Sequence, residues 1–161
     1  MKTPVPTLSP APSPLPDSLL RQFIGYNMKR AYLVVQSDMN RVLSELGMRQ
    51  ATFAPLAIII ENPDITQTQL GQALSIERSG VVLIVDEMEE AELISRNRVK
   101  SDRRSYALRA TLKGRQLWEK ACVRVQQHED AIMQDLPDDA RSALKTFLNT
   151  IEATGRTNMK R

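Results

Sequence analysis

Apolar residues keep helical spacing from Leu20 onward: Phe23, Ile24, Met28, Ala31, Val34, Val35, Met39, Val42, Leu43 and Leu46 continue the stripe. The spacing predicts one long helix over residues 17–46, with Asp17 or Ser18 as N-cap and Gly47 as its left-handed stop. So wide a stripe calls for more than one neighbour. A second helix is predicted over 52–61, halted by Asn62-Pro63. Thr66-Gln67-Thr68-Gln69 fits a capping box and opens a short third helix ending near Leu74, with Leu70, Ala73 and Leu74 facing inward. Ser75 reads as the N-cap of a fourth helix that reaches about Ala91.

The period then changes. Residues 93–100 and 104–110 flank Ser101-Asp102-Arg103, and Tyr106 and Leu108 alternate with Ala107 and Arg109, which is the spacing of a strand in a hairpin. A long helix is predicted over 111–135, with Trp118, Ala121, Cys122, Val125, Ile132 and Met133 on its stripe. The last helix opens with Pro137 at N1 and Asp138 and Asp139 in its first turn. Ala140, Ala143, Leu144, Phe147, Leu148 and Ile151 form its apolar face, and Gly155 is expected to end it. Three helices followed by a two-stranded ribbon describe a winged helix-turn-helix, so the fold class is mainly α. The surplus is a long helix before this unit and two helices after it.

Composition narrows the chemistry. The chain has 161 residues, enough for one domain with short additions, and 42% are hydrophobic. Six of the nine prolines fall within residues 1–16, which predicts an unstructured Pro-rich tail. The single cysteine, Cys122, excludes an intrachain disulfide framework and a multi-cysteine zinc site, and the single histidine, His128, excludes most His-based metal sites. No Gly-rich phosphate loop and no paired catalytic constellation is present, so neither an enzyme nor a cofactor or metal site is expected. Cys122 reads as a packed, inert thiol and His128 as a satisfied core or interface histidine. No stretch approaches the roughly 18 apolar residues of a membrane span, and no apolar region follows Lys2 as a signal peptide requires. The expectation is a cytoplasmic protein with no membrane partner.

The charge is concentrated. Between residues 96 and 115 stand Arg96, Arg98, Lys100, Arg103, Arg104, Arg109, Lys113 and Arg115, opposed only by Asp102, while the whole chain carries just +3. Such a patch is an electrostatic footprint for a polyanion. On the fourth helix, Val81, Ile84, Val85 and Met88 share a core-facing side. Ser75, Ser79, Val82, Leu83 and Asp86 lie opposite, with Arg78 on the flank. A first half rich in small and hydrogen-bonding residues suits a major groove. Arg78 suits a guanine or a phosphate, Ser79 either of these, and Val82 and Leu83 a thymine methyl. The acidic second half, Asp86, Glu87, Glu89, Glu90 and Glu92, must point away from phosphate. The candidate DNA contacts are therefore Thr66, Thr68, Ser75, Arg78, Ser79, Val82, Leu83, Arg96, Arg98, Lys100, Arg103 and Arg104. The alternative is an all-helical interaction module whose basic hairpin docks an acidic partner.

Residues 102–114, Asp-Arg-Arg-Ser-Tyr-Ala-Leu-Arg-Ala-Thr-Leu-Lys-Gly, resemble the wing signature of MarR-type transcriptional regulators. Leu93-Ile94-Ser95-Arg96 resembles the segment leaving that family's recognition helix, and residues 68–74 resemble its short third helix. The resemblance spans about residues 19–155. It implies a homodimer on double-stranded operator DNA, with residues 17–47 and 111–156 supplying dimerisation helices and 48–110 the DNA-binding lobe. It also implies that Asp102 and Arg104 hold the wing's shape and that Arg103 reaches a minor groove. An effector would bind between the dimerisation helices and the lobe, with Tyr26, Arg30, Tyr32, Phe53 and Ile58 as candidate lining. Residues 78–82 and 104–108 resemble regulators of aromatic-compound catabolism, which implies an aromatic acid or its CoA thioester as effector and repression as the outcome. Glu92 stands where the family usually carries Gly. A left-handed Glu costs about 1 kcal/mol, so a differently built turn is expected there.

Overall fold

The computed structural model describes residues 15–99 and 102–158, with residues 99 and 102–105 described as backbone only. The order is α1 (Ser18–Arg21), α2 (Ile24–Ser44), α3 (Gln50–Glu61), β1 (Ile65–Thr66), α4 (Gln67–Leu74), α5 (Arg78–Glu90), β2 (Ile94–Val99), β3 (Asp102–Ala110), α6 (Leu112–Ile132) and α7 (Asp138–Asn158). The chain divides into two compact units, one ending at Val34 and the other beginning at Val35. Of the tail expected over residues 1–16, residues 1–14 lie outside the described residues.

The single helix expected over 17–46 is broken at Gln22–Phe23. Asn27 supplies the reason: its side-chain amide donates to the carbonyls of Arg21 (2.7 Å) and Phe23 (2.9 Å). The Arg21 carbonyl is thereby engaged outside the helical ladder, the local competition at which Asn excels. In the same unit the Tyr26 hydroxyl donates to Asp17 (2.7 Å), and Arg21 pairs with that carboxylate at 3.0 Å. The Tyr26 bond, then Arg21, holds the Asp17 carboxyl below its usual range, and the same carboxylate pushes the Tyr26 phenol upward.

In the second unit the core is assembled from α2, α3, α4, α5 and β3: Leu43, Leu56, Ile59, Leu70, Val85, Met88 and Leu108 are completely enclosed, and Ala121 of α6 joins them. The inward face expected on the fourth helix is realised, with Val81, Val85 and Met88 buried and Ile84 packed against the core. Ala73, expected inward, is exposed, and Gly71 takes the buried place instead. A Cβ on Gly71 would meet Val81 Cγ2 at 2.9 Å, so α4 and α5 touch where glycine leaves room. The expected hairpin forms as β2 and β3, and a short third strand joins it. β1 pairs with β3 (Ile65 opposite Leu108, Thr66 opposite Ala107), giving an antiparallel sheet of order β1-β3-β2.

Three helices stop in the same way. After α2, the N–H groups of Gly47 and Met48 reach back to Ser44 (2.9 Å) and Leu43 (3.0 Å), with Gly47 at φ 68°. After α4, Ser75 and Ile76 bond to Gln72 and Gly71, with Ser75 at φ 53°; after α5, Glu92 and Leu93 bond to Glu89 and Met88, with Glu92 at φ 59°. Each is a paired-bond, left-handed stop. Two expectations are thereby corrected. Ser75 ends α4 rather than capping the next helix, whose N-cap is Glu77, and the turn at Glu92 is left-handed without a glycine rather than differently built.

The strand-to-helix corner at Thr111 is equally constrained. The Thr111 N–H donates to the Leu93 carbonyl (3.0 Å), its hydroxyl donates to the Glu92 carbonyl (2.7 Å), and the Thr111 hydroxyl oxygen in turn accepts from the Gly114 N–H (3.0 Å). A Cβ on Gly114 would lie 2.1 Å from the Leu93 carbonyl oxygen. α6 then pairs with α2 through His128 Nδ1 and Asp38 (2.6 Å) and through Arg124 and Glu45. Arg41, then His128, lowers the Asp38 pKa. His128 is buried, with Nε2 lacking a partner. Cys122 is half-buried, and burial raises its thiol pKa away from the thiolate range. Pro137 is not N1: its carbonyl accepts from the Arg141 N–H, making it the N-cap. Gly155 lies inside α7 rather than ending it.

Two substitutions test these backbone constraints. Gly114→Ala drives a methyl into a carbonyl and is expected to cost about 3 kcal/mol or more, lowering the melting temperature by roughly 6–12 °C in calorimetry. Glu92→Gly relieves left-handed strain of about 1 kcal/mol at the expense of an exposed ion pair with Lys113. A small rise in melting temperature is expected for Glu92→Gly, and a fall for the β-branched Glu92→Val.

Candidate nucleic-acid interface

The stop at Ser75 turns the chain so that the first turns of α5 stand free beside the start of α4. The Thr66 hydroxyl accepts from the Gln69 N–H (3.3 Å) and Gln69 Oε1 accepts from the Thr66 N–H (2.9 Å), so the expected capping box forms and fixes where α4 begins. Between α4, α5 and β3 lies a cleft of about 570 Å³, with Thr66, Thr68, Gln72, Ser75, Arg78 and Tyr106 on its walls. Sequence-predicted Thr66, Thr68, Ser75 and Arg78 are thus brought together. Ser79, Val82 and Leu83 continue outward along the exposed side of α5, with Leu83 71% exposed.

Tyr106 was not among the residues expected here. It is 40% exposed at the cleft, two residues before the fully buried Leu108 on β3. The alternation of the strand already set the two in phase.

The basic patch proves unequal. Arg98 is exposed on β2, opposite Tyr106. Arg96, expected to meet DNA, is instead turned onto the acidic edge of α5: it bonds Asp86, and its Nε lies 3.3 Å from Glu89. Its side chain is only 21% exposed, because opposite charge within reach outweighs solvent there. Arg109 grips Asp64 through two bonds of 2.6 and 2.5 Å, and this arginine holds the Asp64 carboxyl below its ordinary value. Lys113 pairs with Glu92 (3.0 Å). Arg49, outside the ribbon, takes Glu87 (2.8 Å). The acidic half of α5 is thereby largely neutralised by neighbours, in keeping with its expected turn away from phosphate. Arg103 and Arg104 stand on the β3 backbone without described side chains, and Lys100 lies outside the described residues.

The effector candidates fall in both compact units. Tyr26 is half-buried with its hydroxyl engaged by Asp17, while Arg30 and Tyr32 are exposed. Phe53 packs on Trp118 with ring centroids 4.6 Å apart, and Ile58 packs against the core. Among the described residues, no His, Cys, Asp and Glu cluster could hold a metal ion, and no helix is long and apolar enough to cross a membrane.

Comparison with known proteins agrees with this geometry. The MarR family model matches residues 48–106. The transcriptional repressor CouR, solved on a 23-mer DNA duplex, superposes with a TM-score of 0.81 at 35% identity, covering 87% of this chain and 99% of CouR. CouR bound to p-coumaroyl-CoA superposes at 0.76 with 31% identity, covering 86% and 98%. A Thauera aromatica protein assigned as transcriptional regulator of the hcr operon is 29% identical over 129 residues, 80% of this chain and 78% of that protein. With a solved relative matched over nearly its whole length, and the family model falling on the segment that builds the cleft and ribbon, the chain belongs to the MarR family of transcriptional regulators.

Proposed function

We propose that this regulator is a repressor that holds a near-palindromic operator as a homodimer and releases it on binding an aromatic acid or its CoA thioester. The observation that carries the reading is the free first half of α5, presenting Arg78, Ser79, Val82 and Leu83, with Ser75 at the preceding turn and a basic ribbon alongside. Hydroxyls and a guanidinium at the start of an exposed helix fit base edges and phosphates in a major groove. In this reading Thr66 and Thr68 approach the backbone, while Arg98, Lys100, Arg103 and Arg104 supply the ribbon's charge and Arg103 enters the minor groove.

Residues 48–110 form the DNA-binding lobe, and residues 17–47 and 111–156 join two copies. Leu144, Phe147, Leu148 and Ile151 leave an apolar stripe uncovered on α7, and Leu19, Leu20, Phe23 and Ile24 do so in the first unit. A second copy gives these stripes a place to bury. The proposed effector residues are Tyr26, Arg30, Tyr32, Phe53 and Ile58, with Arg30 as the anchor for a carboxylate or a CoA phosphate. CouR, with structures on DNA and with p-coumaroyl-CoA, supports both halves of the reading. Release is a population shift: the effector favours a lobe spacing that mismatches the half-sites and weakens DNA binding only by its differential affinity.

Three measurements test this. Affinity for the protein's own promoter should fall steeply with salt, and Arg103→Ala should weaken specific and random duplexes alike while reducing the log–log slope by about one per protomer. An unchanged affinity would remove Arg103 from the interface. Sedimentation should give twice the chain mass for the wild type, whereas Phe147→Glu should give a single chain that has lost most operator affinity. In a mobility-shift titration with benzoate, ferulate, p-coumarate and their CoA esters, at least one should release the duplex, and Arg30→Ala should need about tenfold more of it. No release by any compound would defeat the effector assignment.

A further inference from the structure

The outward side of α5 is graded in three bands. Arg78 and Ser79 come first, with Ser75 at the turn before the helix; Val82 and Leu83 follow one turn later; Asp86, Glu89 and Glu90 close the helix. Arg96 holds Asp86 and Glu89 on the lobe, so the side chains left to meet a duplex are those of the first two turns. Within those turns the most exposed large apolar side chain is Leu83, at 71%, with Val82 beside it at 37%. Neither bears a donor or an acceptor. A leucine so exposed contributes nothing to the core of this chain, whose share of α5 is Val81, Ile84, Val85 and Met88.

A major groove offers one apolar feature among its base edges, the C5-methyl group of thymine. Resting on the DNA-binding reading above, we propose that Leu83, flanked by Val82, is a specificity-determining residue that reads a thymine methyl in each half-site. The polar band at Ser75, Arg78 and Ser79 sets the register on the duplex, and Leu83 then accepts a step that presents a methyl group one turn further along the helix. A cytosine at that step presents an amino donor to a side chain that cannot receive it, and loses its bond to water.

The test uses a duplex enriched by the full wild-type chain from a random-sequence pool. Each thymine is then replaced singly by uracil, which removes the methyl and leaves every hydrogen-bonding group in place. At one thymine per half-site the wild type should lose about fourfold in affinity, the worth of one buried methyl-sized group, and about fifteenfold with both half-sites replaced. Leu83→Ala should be indifferent to that replacement, while Leu83→Met, which keeps an apolar reach, should retain the sensitivity. Because residue 83 is exposed, both variants should melt as the wild type does. A flat uracil scan for the wild type, or a Leu83→Ala protein as sensitive as the wild type, overturns the assignment while leaving DNA binding intact. Failure to enrich any duplex overturns the DNA-binding reading and this inference with it.

Discussion

The meeting of Thr111, Gly114 and the carbonyls of Glu92 and Leu93 is the constraint on which the rest depends. Four backbone groups converge on one threonine side chain and one peptide. The end of α5, the first residue of the ribbon and the start of α6 are locked at a distance that admits no side chain at Gly114. The helix that faces outward and the ribbon beside it therefore take their mutual angle from hydrogen bonds rather than from packing alone. Hydrogen bonds are directional where apolar contact is not, so a hinge built this way resists drift.

Around this junction, charge is distributed by local cancellation. A ribbon crowded with cations would repel itself, and a helix ending in carboxylates would repel a polyanion. Each supplies the other's counter-charge: Arg96 meets Asp86 and Glu89, and Lys113 meets Glu92. Exposed pairs of this kind contribute little stability one by one. Their larger effect is on the field, since they remove negative potential from the flank of α5 and leave Arg98 exposed further along the ribbon.

Much of this was legible in the residues, and the failures share a cause. The capping box at Thr66, the left-handed stop at Gly47 and the inward face of α5 rest on residue types whose chemistry announces the structure. Ser75 and Glu92 adopt the same left-handed stop as Gly47, yet a serine looks like a helix start and a glutamate like a helix interior. Their conformation is imposed by tertiary packing rather than by propensity. β1 is two residues long and leaves no periodic trace. The break before α2 depends on one side-chain amide competing with the backbone, which no apolar pattern records. Arg96 counted as free charge because a sequence shows how many cations there are but not which already have partners. The cleft is half visible in the sequence: its hydroxyls and Arg78 carry recognisable chemistry, whereas the alternation along β3 gives Tyr106 a phase but not a neighbour.

The last helix carries a thermodynamic consequence. None of its residues is buried within its own chain, and beyond its caps its own chain holds it chiefly by the Arg141 contacts to Leu136 and Asp130. A helix whose apolar stripe has no intrachain partner gains little from folding alone. Its order is then a function of how many copies are present. Thermal resistance becomes a property of the solution as much as of the polypeptide, rising with protein concentration as mass action requires.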